Sequence, residues 1–404
     1  MRLLFALATS QPTLARASDE FYYRGQAELL IHGHWWVAPG SVVNGYPGVP
    51  AASHPPLFSG VLALADLVGL HGMDAQRAFL CVISVTAVVF CGRIGARLAG
   101  SNGEVAAAWA AALLPGMWIY DGTVLSETVT VPLVAATVLV LYRLRERPTA
   151  QRAAVLGLTV ALCALTRPEL IVLVVIFAPL WLVRGPWKTR MGLTAVFIAM
   201  VVVLVGPWVG RNLHDFTDTE FISANFGSVV VGANCATTYS GPLLGTWDPR
   251  CVNDHVPPAG DASVLDHYFL STGEQYARQH ASRVPVVVVA RIGRTIGVWP
   301  APAAAAAWDA RAGGTWPRWA GWLYWATWLL SIPFVVTAVV ALRRSRIVAW
   351  PLYALIGLFV VVSAVMYDDP RFASSCQAAL AVLVGIGCTR IASTVTDRRL
   401  RVGA

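Results

Sequence analysis

Long apolar runs separated by short polar connections make up most of this chain. They lie at roughly 57–71, 79–98, 104–120, 127–142, 153–166, 168–183, 191–209, 319–342, 347–366 and 375–394. Most of them are apolar on every side rather than along one stripe, which is typical of helices in lipid or inside a helix bundle. The pattern therefore predicts an all-α polytopic membrane protein.

One long polar stretch precedes these runs and extends from Asp19 to Leu57. The adjacent carboxylates Asp19 and Glu20 open it, and His54 followed by two prolines closes it. The apolar residues 1–8 ahead of it are too few to cross a hydrocarbon core, which needs about 20. We interpret them as the outer half of a truncated first transmembrane helix; the alternative is a short interfacial N-terminus. Residues 19–57 are then the first external loop.

The polar stretches divide the chain into three predicted regions. Residues 1–210 form a transmembrane module that includes the loop 19–57. Residues 211–300 form a large external loop followed by an interfacial helix, in which Arg291 and Arg294 recur at helical spacing. Residues 301–404 carry the C-terminal transmembrane helices.

Composition supports the membrane assignment and limits the partners. The chain is 56% hydrophobic and 13% charged, whereas soluble proteins are about 25% charged. The formal charge of +8 is carried by short arginine clusters between apolar runs, as in cytoplasmic loops, so nucleic acid is not a predicted partner. We expect a multi-pass protein of the inner or plasma membrane.

The arginine clusters also predict the orientation. They occupy residues 143–147, 184–190, 343–346 and 398–401, and should be cytoplasmic. The outer face then receives residues 19–57, 126–127, 166–169, 211–283 and 367–371. This threading leaves 57–71 unresolved: it is either re-entrant or interfacial, or a later segment has been divided wrongly.

Ionisable residues next to apolar segments mark the candidate site, because charge at membrane depth is costly and usually functional. On the predicted outer face these residues are Asp19, Glu20, His54, Glu127, Arg167, Glu169, Arg211 and Arg371. Carboxylates and arginines gathered on one face predict a polar cavity that binds an anionic group and performs acid–base chemistry.

Most of these residues also have a purely structural interpretation. Asp19, Glu20 and Glu127 each precede a predicted helix, where acidic side chains are favourable. Arg167 and Glu169 would simply form an ion pair across Pro168. Arg371 would snorkel towards the membrane interface, and His54 would occupy an ordinary loop position.

Two of the seven cysteines lie in the predicted external loop. Cys235 and Cys251 have 15 residues between them, and in an oxidising compartment they would pair, which stabilises a loop of that size by about 3 kcal/mol. The alternative is two free thiols. No C-x-x-C or H-x-x-x-H spacing accompanies them, so we do not predict a zinc site.

Several short motifs, taken in order, carry a resemblance that spans almost the whole chain. They are Asp19-Glu20-Phe21-Tyr22-Tyr23, His54-Pro55-Pro56-Leu57, Leu125-Ser126-Glu127, Thr166-Arg167-Pro168-Glu169, Pro207-Trp208-Val209-Gly210-Arg211-Asn212 and Tyr367-Asp368-Asp369-Pro370-Arg371-Phe372. Their order and spacing resemble the GT-C superfamily of membrane glycosyltransferases. The sequence is more closely similar to the polyprenyl-phosphate-sugar-dependent branch, which includes protein O-mannosyltransferases and aminoarabinose transferases.

The resemblance implies a GT-C-like helix bundle and an inverting hexosyl- or pentosyltransferase. Such an enzyme moves one sugar from a polyprenyl-phosphate carrier to a hydroxyl of a glycan, lipid or protein acceptor on the extracytoplasmic face. By position, Asp19 is the general base, with Glu20 beside it. His54, Arg211 and Arg371 would offset the charge that develops on the leaving phosphate. Because that phosphate is already a good leaving group, no cofactor or metal is expected.

Other features of the resemblance are less direct. Relatives often have lysine at the position of His54, which puts its role as a phosphate ligand in doubt. Tyr22 and Tyr23 offer flat surfaces for a sugar ring, or serve as interfacial anchors.

The competing functions are a transporter or flippase of a lipid-linked or anionic substrate, which predicts paired half-repeats that the sequence lacks, and a non-catalytic scaffold.

Overall fold

The computed structural model describes residues 2–8, 19–43, 48–296, 298–299 and 318–402, without the side chains of 318–321 and 394–402. Residues 44–47 of the predicted first loop and residues 301–317 lie outside the described residues. In the described part of the chain the regular secondary structure is helical, apart from an isolated bridge between Val37 and Pro50, so the predicted all-α fold is confirmed.

The helices fall into a bundle and a smaller region packed outside that bundle, called the external region for its position relative to the bundle. In the bundle they are α1 Arg2–Ala8, α2 Asp19–Ile31, α3 Pro56–Leu67, α4 Met73–Leu113, α5 Glu127–Glu146, α6 Ala150–Ala164, α7 Leu173–Ile176, α8 Pro179–Leu182 and α9 Trp187–Asp215. The external region contains α10 Phe226–Ala233, α11 Ala236–Tyr239, α12 Arg250–Asn253, α13 Ala262–Gln279 and α14 Val284–Thr295. The bundle is completed by α15 Arg318–Arg344, α16 Trp350–Val365 and α17 Gln377–Val402.

The last helix forms the centre of the bundle. α17 packs against α4 and α15, while α5 packs between α4 and α6, and α6 lies along α9. Close approach depends on glycine: a Cβ at Gly385 would lie 2.5 Å from the Cα of Ala107, and one at Gly387 would lie 2.1 Å from the carbonyl oxygen of Phe334. Small residues at such crossings let helices pack closely within a membrane.

The bundle has helices long enough to cross a bilayer. Within the described residues, α4, α5, α9 and residues 322–344 of α15 are candidate membrane spans, and the chain is a multi-pass membrane protein. The 20 residues of α5 extend about 30 Å at 1.5 Å per residue, the thickness of a hydrocarbon core. The 12 residues of α3 extend only about 18 Å, so this helix by itself cannot cross.

One predicted segment differs from the structure, whereas one predicted division agrees with it. The runs 79–98 and 104–120 lie largely in α4, whose helical conformation is broken at Ala99 and Gly100, so that two successive helices occupy this range. The run 168–183 is not a single helix: it is divided into a 3₁₀ turn at 168–172, α7 and α8. Pro168 and Pro179 begin two of these pieces, because proline has no backbone N–H and disfavours helical conformation in the residue before it.

Three of the predicted arginine-rich stretches, 143–147, 184–190 and 343–346, lie near the end of α5 that carries Glu146. Arg97 pairs with Glu146 at 3.0 Å, and Arg152 donates to the carbonyl of Arg143 at 2.6 Å. The Tyr142 hydroxyl donates to the carbonyl of Val348 at 3.0 Å. Since α5 is about 30 Å long, these loops lie far from its first residue, Glu127.

The external region is a small helical layer tied to the bundle. Cys235 and Cys251 form a disulfide, with their Cα atoms 6.2 Å apart. α10 packs against α13, and the carboxylate of Asp266 accepts from the backbone N–H of Gly227 at 2.7 Å, which caps α10.

Arg291 and Arg294 are buried in protein rather than exposed on a surface helix. Arg291 donates to the carbonyls of Ala364 and Val365 at the end of α16, and Arg294 donates to that of Leu244. Their positions therefore give no support to the predicted interfacial location of this helix, which stays a prediction.

Glu220 of the external region is a buried acid. It is 6% exposed, and Nδ1 of His267 is 3.8 Å from its Oε1. Burial, followed by the nearby carboxylates of Asp266, Asp218 and Asp261, raises the pKa of Glu220 to about 8. A carboxyl whose pKa is higher in the folded state favours folding while it is protonated. Its contribution is lost as pH rises from the unfolded pKa towards 8.

We therefore expect Glu220→Gln to raise the Tm of the purified protein at pH 8.5 and to change it little at pH 4.5. Thermal unfolding in detergent at the two pH values measures this. Glu274→Gln is the matched control, because the Glu274 side chain is 48% exposed and is not one of the carboxylates that raise this pKa. A Tm increase of equal size at both pH values would contradict the burial argument.

Candidate active site

A cavity of about 290 Å³ lies at the end of the bundle where α5 begins. Six stretches that are far apart in sequence form its wall. The lining residues are Asp19, Tyr23, His54, Pro55, Ser126, Thr166, Arg167, Pro168, Glu169, Ser223, Asn225, Phe226, Val229, Met366, Tyr367, Asp369, Arg371 and Phe372. The structure thus brings Asp19, His54, Arg167, Glu169 and Arg371, all selected from the sequence, to one cavity.

Glu127 is not part of the cavity lining, but it pairs with both arginines of the lining, Arg167 and Arg371. Its side chain is fully buried, and its Oε1 accepts from Nη1 of Arg167 at 2.5 Å and from Nε of Arg371 at 2.6 Å. Arg167 also pairs with Glu169 at 2.6 Å through its Nε. The predicted pair across Pro168 therefore exists, but it is part of a larger network of charge-assisted hydrogen bonds.

Asp19 extends this network to the first loop. Nη1 of Arg371 donates to Oδ2 of Asp19 at 2.6 Å, and Nε2 of His54 is 3.4 Å from Oδ1. Burial tends to raise the pKa of Asp19, but the charges of Arg371 and His54 outweigh it and hold the pKa well below its ordinary value. Asp19 is therefore a carboxylate at neutral pH, and its side chain is 32% exposed.

Two tyrosines of α2 hold the His54 ring. The ring centroids of Tyr22 and Tyr23 lie 5.0 Å and 4.7 Å from that of His54, and Tyr23 also packs edge-on against Phe58. Tyr23 is 2% exposed. These contacts position the imidazole against Asp19. Because both tyrosine rings pack against protein side chains, they offer little surface to a sugar, and of the two only Tyr23 lines the cavity.

Each cavity arginine keeps a donor that the protein does not use. Arg167 and Arg371 bond to carboxylates through Nε and Nη1, and among the described residues neither Nη2 has a hydrogen-bond partner. A guanidinium presents five N–H donors in a planar fork, a geometry suited to phosphate oxygens. The cavity can therefore accept an anionic group at these two positions.

Asp369 orients Arg371 and was not selected from the sequence. Its Oδ1 accepts from the backbone N–H of Arg371 at 2.9 Å and so caps the 3₁₀ turn at 370–375. The signal was present within the motif at 367–372, because aspartate followed by proline is a common way to begin a helical turn.

Glu20 and Arg211 lie outside the cavity lining. Glu20 accepts from the backbone N–H of Val124 at 3.0 Å, and Arg77 is 3.7 Å from it. Arg211 donates to the carbonyls of Trp36 and Ala51 at 2.8 and 3.2 Å. Both residues therefore fix the backbone around the site, and their positions do not support the catalytic and phosphate-binding roles predicted for them.

The external region supplies a wall that no sequence signal indicated. Ser223, Asn225, Phe226 and Val229 line the cavity. The Ser223 hydroxyl donates to the carbonyl of Ser53 at 2.8 Å. The N–H of Ala224 donates to the carbonyl of Ala52, also at 2.8 Å. These bonds fasten the wall to the residues that directly precede His54.

Residues 53–208 match the family described as dolichyl-phosphate-mannose-protein mannosyltransferase. This segment contains His54, Glu127, Arg167 and Glu169 of the site, whereas Asp19 and Arg371 lie outside it. No curated protein matches the chain.

Solved structures give the fold. The oligosaccharyltransferase of Archaeoglobus fulgidus, in complex with zinc and sulfate, superposes with a TM-score of 0.54 at 11% identity, over 98% of this chain and 49% of that one. Its apo form gives 0.54 at 12% identity, over 99% and 50%. ArnT from Cupriavidus metallidurans bound to undecaprenyl phosphate gives only 0.44 at 12% identity, over 97% and 76%. This chain spans about half the length of the oligosaccharyltransferase.

These comparisons establish the fold and a family match over part of the chain. The chain has the fold of the GT-C membrane glycosyltransferases, and over residues 53–208 it matches the mannosyltransferase family. The resemblance predicted from the motifs is confirmed.

Removing the charge of Glu127 should destabilise the protein. Glu127→Gln leaves Arg167 and Arg371 without their shared counter-ion, and breaking a buried pair costs up to about 3–5 kcal/mol. We expect a clear fall in Tm, measured by thermal unfolding in detergent. In the control, Glu104→Gln, the exposed pair with Arg93 is lost at a cost of at most about 1 kcal/mol. Equal shifts in the two variants would contradict the central role of Glu127.

Proposed function

We propose that this protein is an inverting glycosyltransferase. It moves a monosaccharide from a polyprenyl-phosphate carrier to an acceptor hydroxyl on the extracytoplasmic face of the membrane. The observation that carries the proposal is one cavity lined by a carboxylate, Asp19, and by two arginines, Arg167 and Arg371, whose Nη2 groups have no hydrogen-bond partner among the described residues.

The arginines suit the leaving group. When the bond between the sugar and the phosphate breaks, negative charge develops on the phosphate oxygens. The Nη2 groups of Arg167 and Arg371 offer charge-assisted hydrogen bonds to those oxygens, and Glu127 holds both arginines in place beforehand. Donors that are already oriented towards the developing charge lower the barrier most effectively.

The carboxylate suits the acceptor. A hydroxyl is a weak nucleophile until its proton is removed, and Asp19 supplies a fixed negative charge where that proton must leave. The oxygen attacks the anomeric carbon from the side opposite the phosphate, so a single displacement inverts its configuration. The protein needs no cofactor or metal for this step, because the lipid phosphate leaves readily.

Cavity size and topology support the rest of the proposal. A volume of about 290 Å³ is near the lower limit for ligand sites, which span about 300–1,000 Å³, and so favours one sugar ring over a long oligosaccharide.

The arginine-rich loops lie at the opposite end of α5, and arginine-rich loops are cytoplasmic. The acceptor is a glycan, lipid or protein hydroxyl.

The test is sugar transfer by the purified protein in liposomes, using a panel of labelled polyprenyl-phosphate hexoses and pentoses. Asp19→Asn should lower kcat about 10²–10⁴-fold, the usual range for loss of acid–base assistance. Asp254→Asn, on an exposed residue of the external region, is the matched control.

Undiminished transfer by Asp19→Asn would remove Asp19 from the mechanism. Solute uptake without transfer by the wild-type protein would favour a transporter instead. Retention of anomeric configuration in the product, determined by NMR, would contradict the single displacement.

A further inference from the structure

Asn225 occupies a position where asparagine normally has a structural role, but it does not perform that role here. It is the N-cap residue of α10, and its side chain makes no capping hydrogen bond. Asparagine at an N-cap usually accepts from a backbone N–H of the first helical turn. The carboxylate of Asp266 does so instead, accepting from the N–H of Gly227 at 2.7 Å. Capping of α10 therefore does not account for the amide of Asn225.

A neighbouring serine orients this amide and leaves its nitrogen unused. Oδ1 of Asn225 accepts from the hydroxyl of Ser228 at 2.7 Å. Among the described residues Nδ2 has no hydrogen-bond partner, and it is not one of their unpaired polar atoms that are buried from solvent. Asn225 is half-buried and lines the cavity. The two N–H donors of Nδ2 are therefore available to a ligand there.

The hydroxyl groups of the lining, in contrast, are engaged within the protein. Those of Thr166 and Ser223 donate to backbone carbonyls at 2.7 and 2.8 Å, and that of Tyr23 is hydrogen-bonded to Ser126. A sugar hydroxyl is a neutral acceptor, and the amide of Asn225 is a neutral donor. Asn225 is therefore better matched to a sugar than to the phosphate, for which the cavity arginines carry positive charge.

The wall around Asn225 is fixed and carries an aromatic ring. Nε1 of Trp247 donates to the carbonyl of Ser228 at 3.0 Å, and α10 packs along α13. The next residue, Phe226, lines the cavity and is 39% exposed. An apolar surface with a few fixed polar groups is what orients a small ligand in a pocket. Phe226 offers such a surface to the C–H groups of a sugar ring, beside the amide of Asn225.

We propose that Asn225 is a specificity-determining residue, which donates a hydrogen bond from Nδ2 to one hydroxyl of the transferred sugar. The inference rests on the proposed function and adds to it how the sugar is recognised. The cavity has room for about one ring, so the hydroxyls of a ring whose phosphate is bound by the arginines reach the remaining walls. A sugar without that hydroxyl leaves the amide unpaired and is used less well.

The test uses polyprenyl-phosphate mannose, glucose and arabinose, each with its monodeoxy analogues, as donors for the purified protein in liposomes. For a sugar that the wild-type protein transfers, we expect kcat/KM to be about 3–10-fold lower for at least one analogue, the usual effect of one neutral hydrogen bond. Asn225→Ala should abolish the preference for the parent sugar over one such analogue and leave the binding of sugar-free polyprenyl phosphate unchanged. Asn253→Ala, on an exposed residue of α12, is the matched control.

The proposal is wrong if Asn225→Ala keeps the wild-type preference over every analogue. Tenfold weaker binding of sugar-free polyprenyl phosphate at an unaltered Tm would assign Asn225 to the phosphate, and a change confined to the acceptor KM would assign it to the acceptor; either result overturns the proposal.

If Asn225→Ala unfolds, Ser228→Ala decides, because it removes the hydroxyl that orients the amide. This variant should reduce the same preference, and an unchanged preference contradicts the proposal. Absence of transfer by the wild-type protein from any donor would instead refute the proposed function, which distinguishes the two failures.

Discussion

A buried carboxylate, that of Glu127, lies between the guanidinium groups of Arg167 and Arg371. Removing a carboxylate from water costs several kcal/mol unless opposite charges and hydrogen bonds compensate it. Glu127 is fully buried at the start of α5, so the chain around residue 167 and the chain around residue 371 must both reach that point. Arg371 then presents its remaining edge to Asp19, which brings the first loop into the same assembly. The positions of Arg167, Arg371 and Asp19 in the cavity follow from this one requirement.

The charges of the site alternate rather than accumulate. Asp19, Arg371, Glu127, Arg167 and Glu169 form a chain of ion pairs in which each arginine lies between two carboxylates. Such a chain keeps both arginines charged and fixed, and leaves each with a donor for a ligand. An anionic ligand therefore binds to groups whose side-chain entropy has already been lost, and preorganised donors of this kind stabilise developing charge with little rearrangement.

The external region forms one wall of the cavity. Ser223 and Ala224 bond to the backbone just before His54, and Arg291 bonds to the end of α16, close to Tyr367 and Arg371. The disulfide between Cys235 and Cys251 limits movement within the same region. A single layer thus contacts both the first loop and the end of α16 that precedes the turn carrying Arg371, so its packing affects both sides of the proposed reaction.

The sequence by itself determined the membrane helices and most of the charged groups of the cavity. Apolar runs and arginine clusters report the local cost of placing residues in lipid, and an ionisable residue beside such a run is informative without its partner. Asp19, His54, Glu127, Arg167, Glu169 and Arg371 were found in this way. Tertiary structure decided which carboxylate faces the cavity: Asp19 and Glu20 are adjacent on α2, where successive side chains point about 100° apart, and only packing set which direction was inward. It also decided that Arg211 holds backbone and that Ser223 to Val229 form a wall, because those contacts join segments far apart in sequence and depend on how the helices pack.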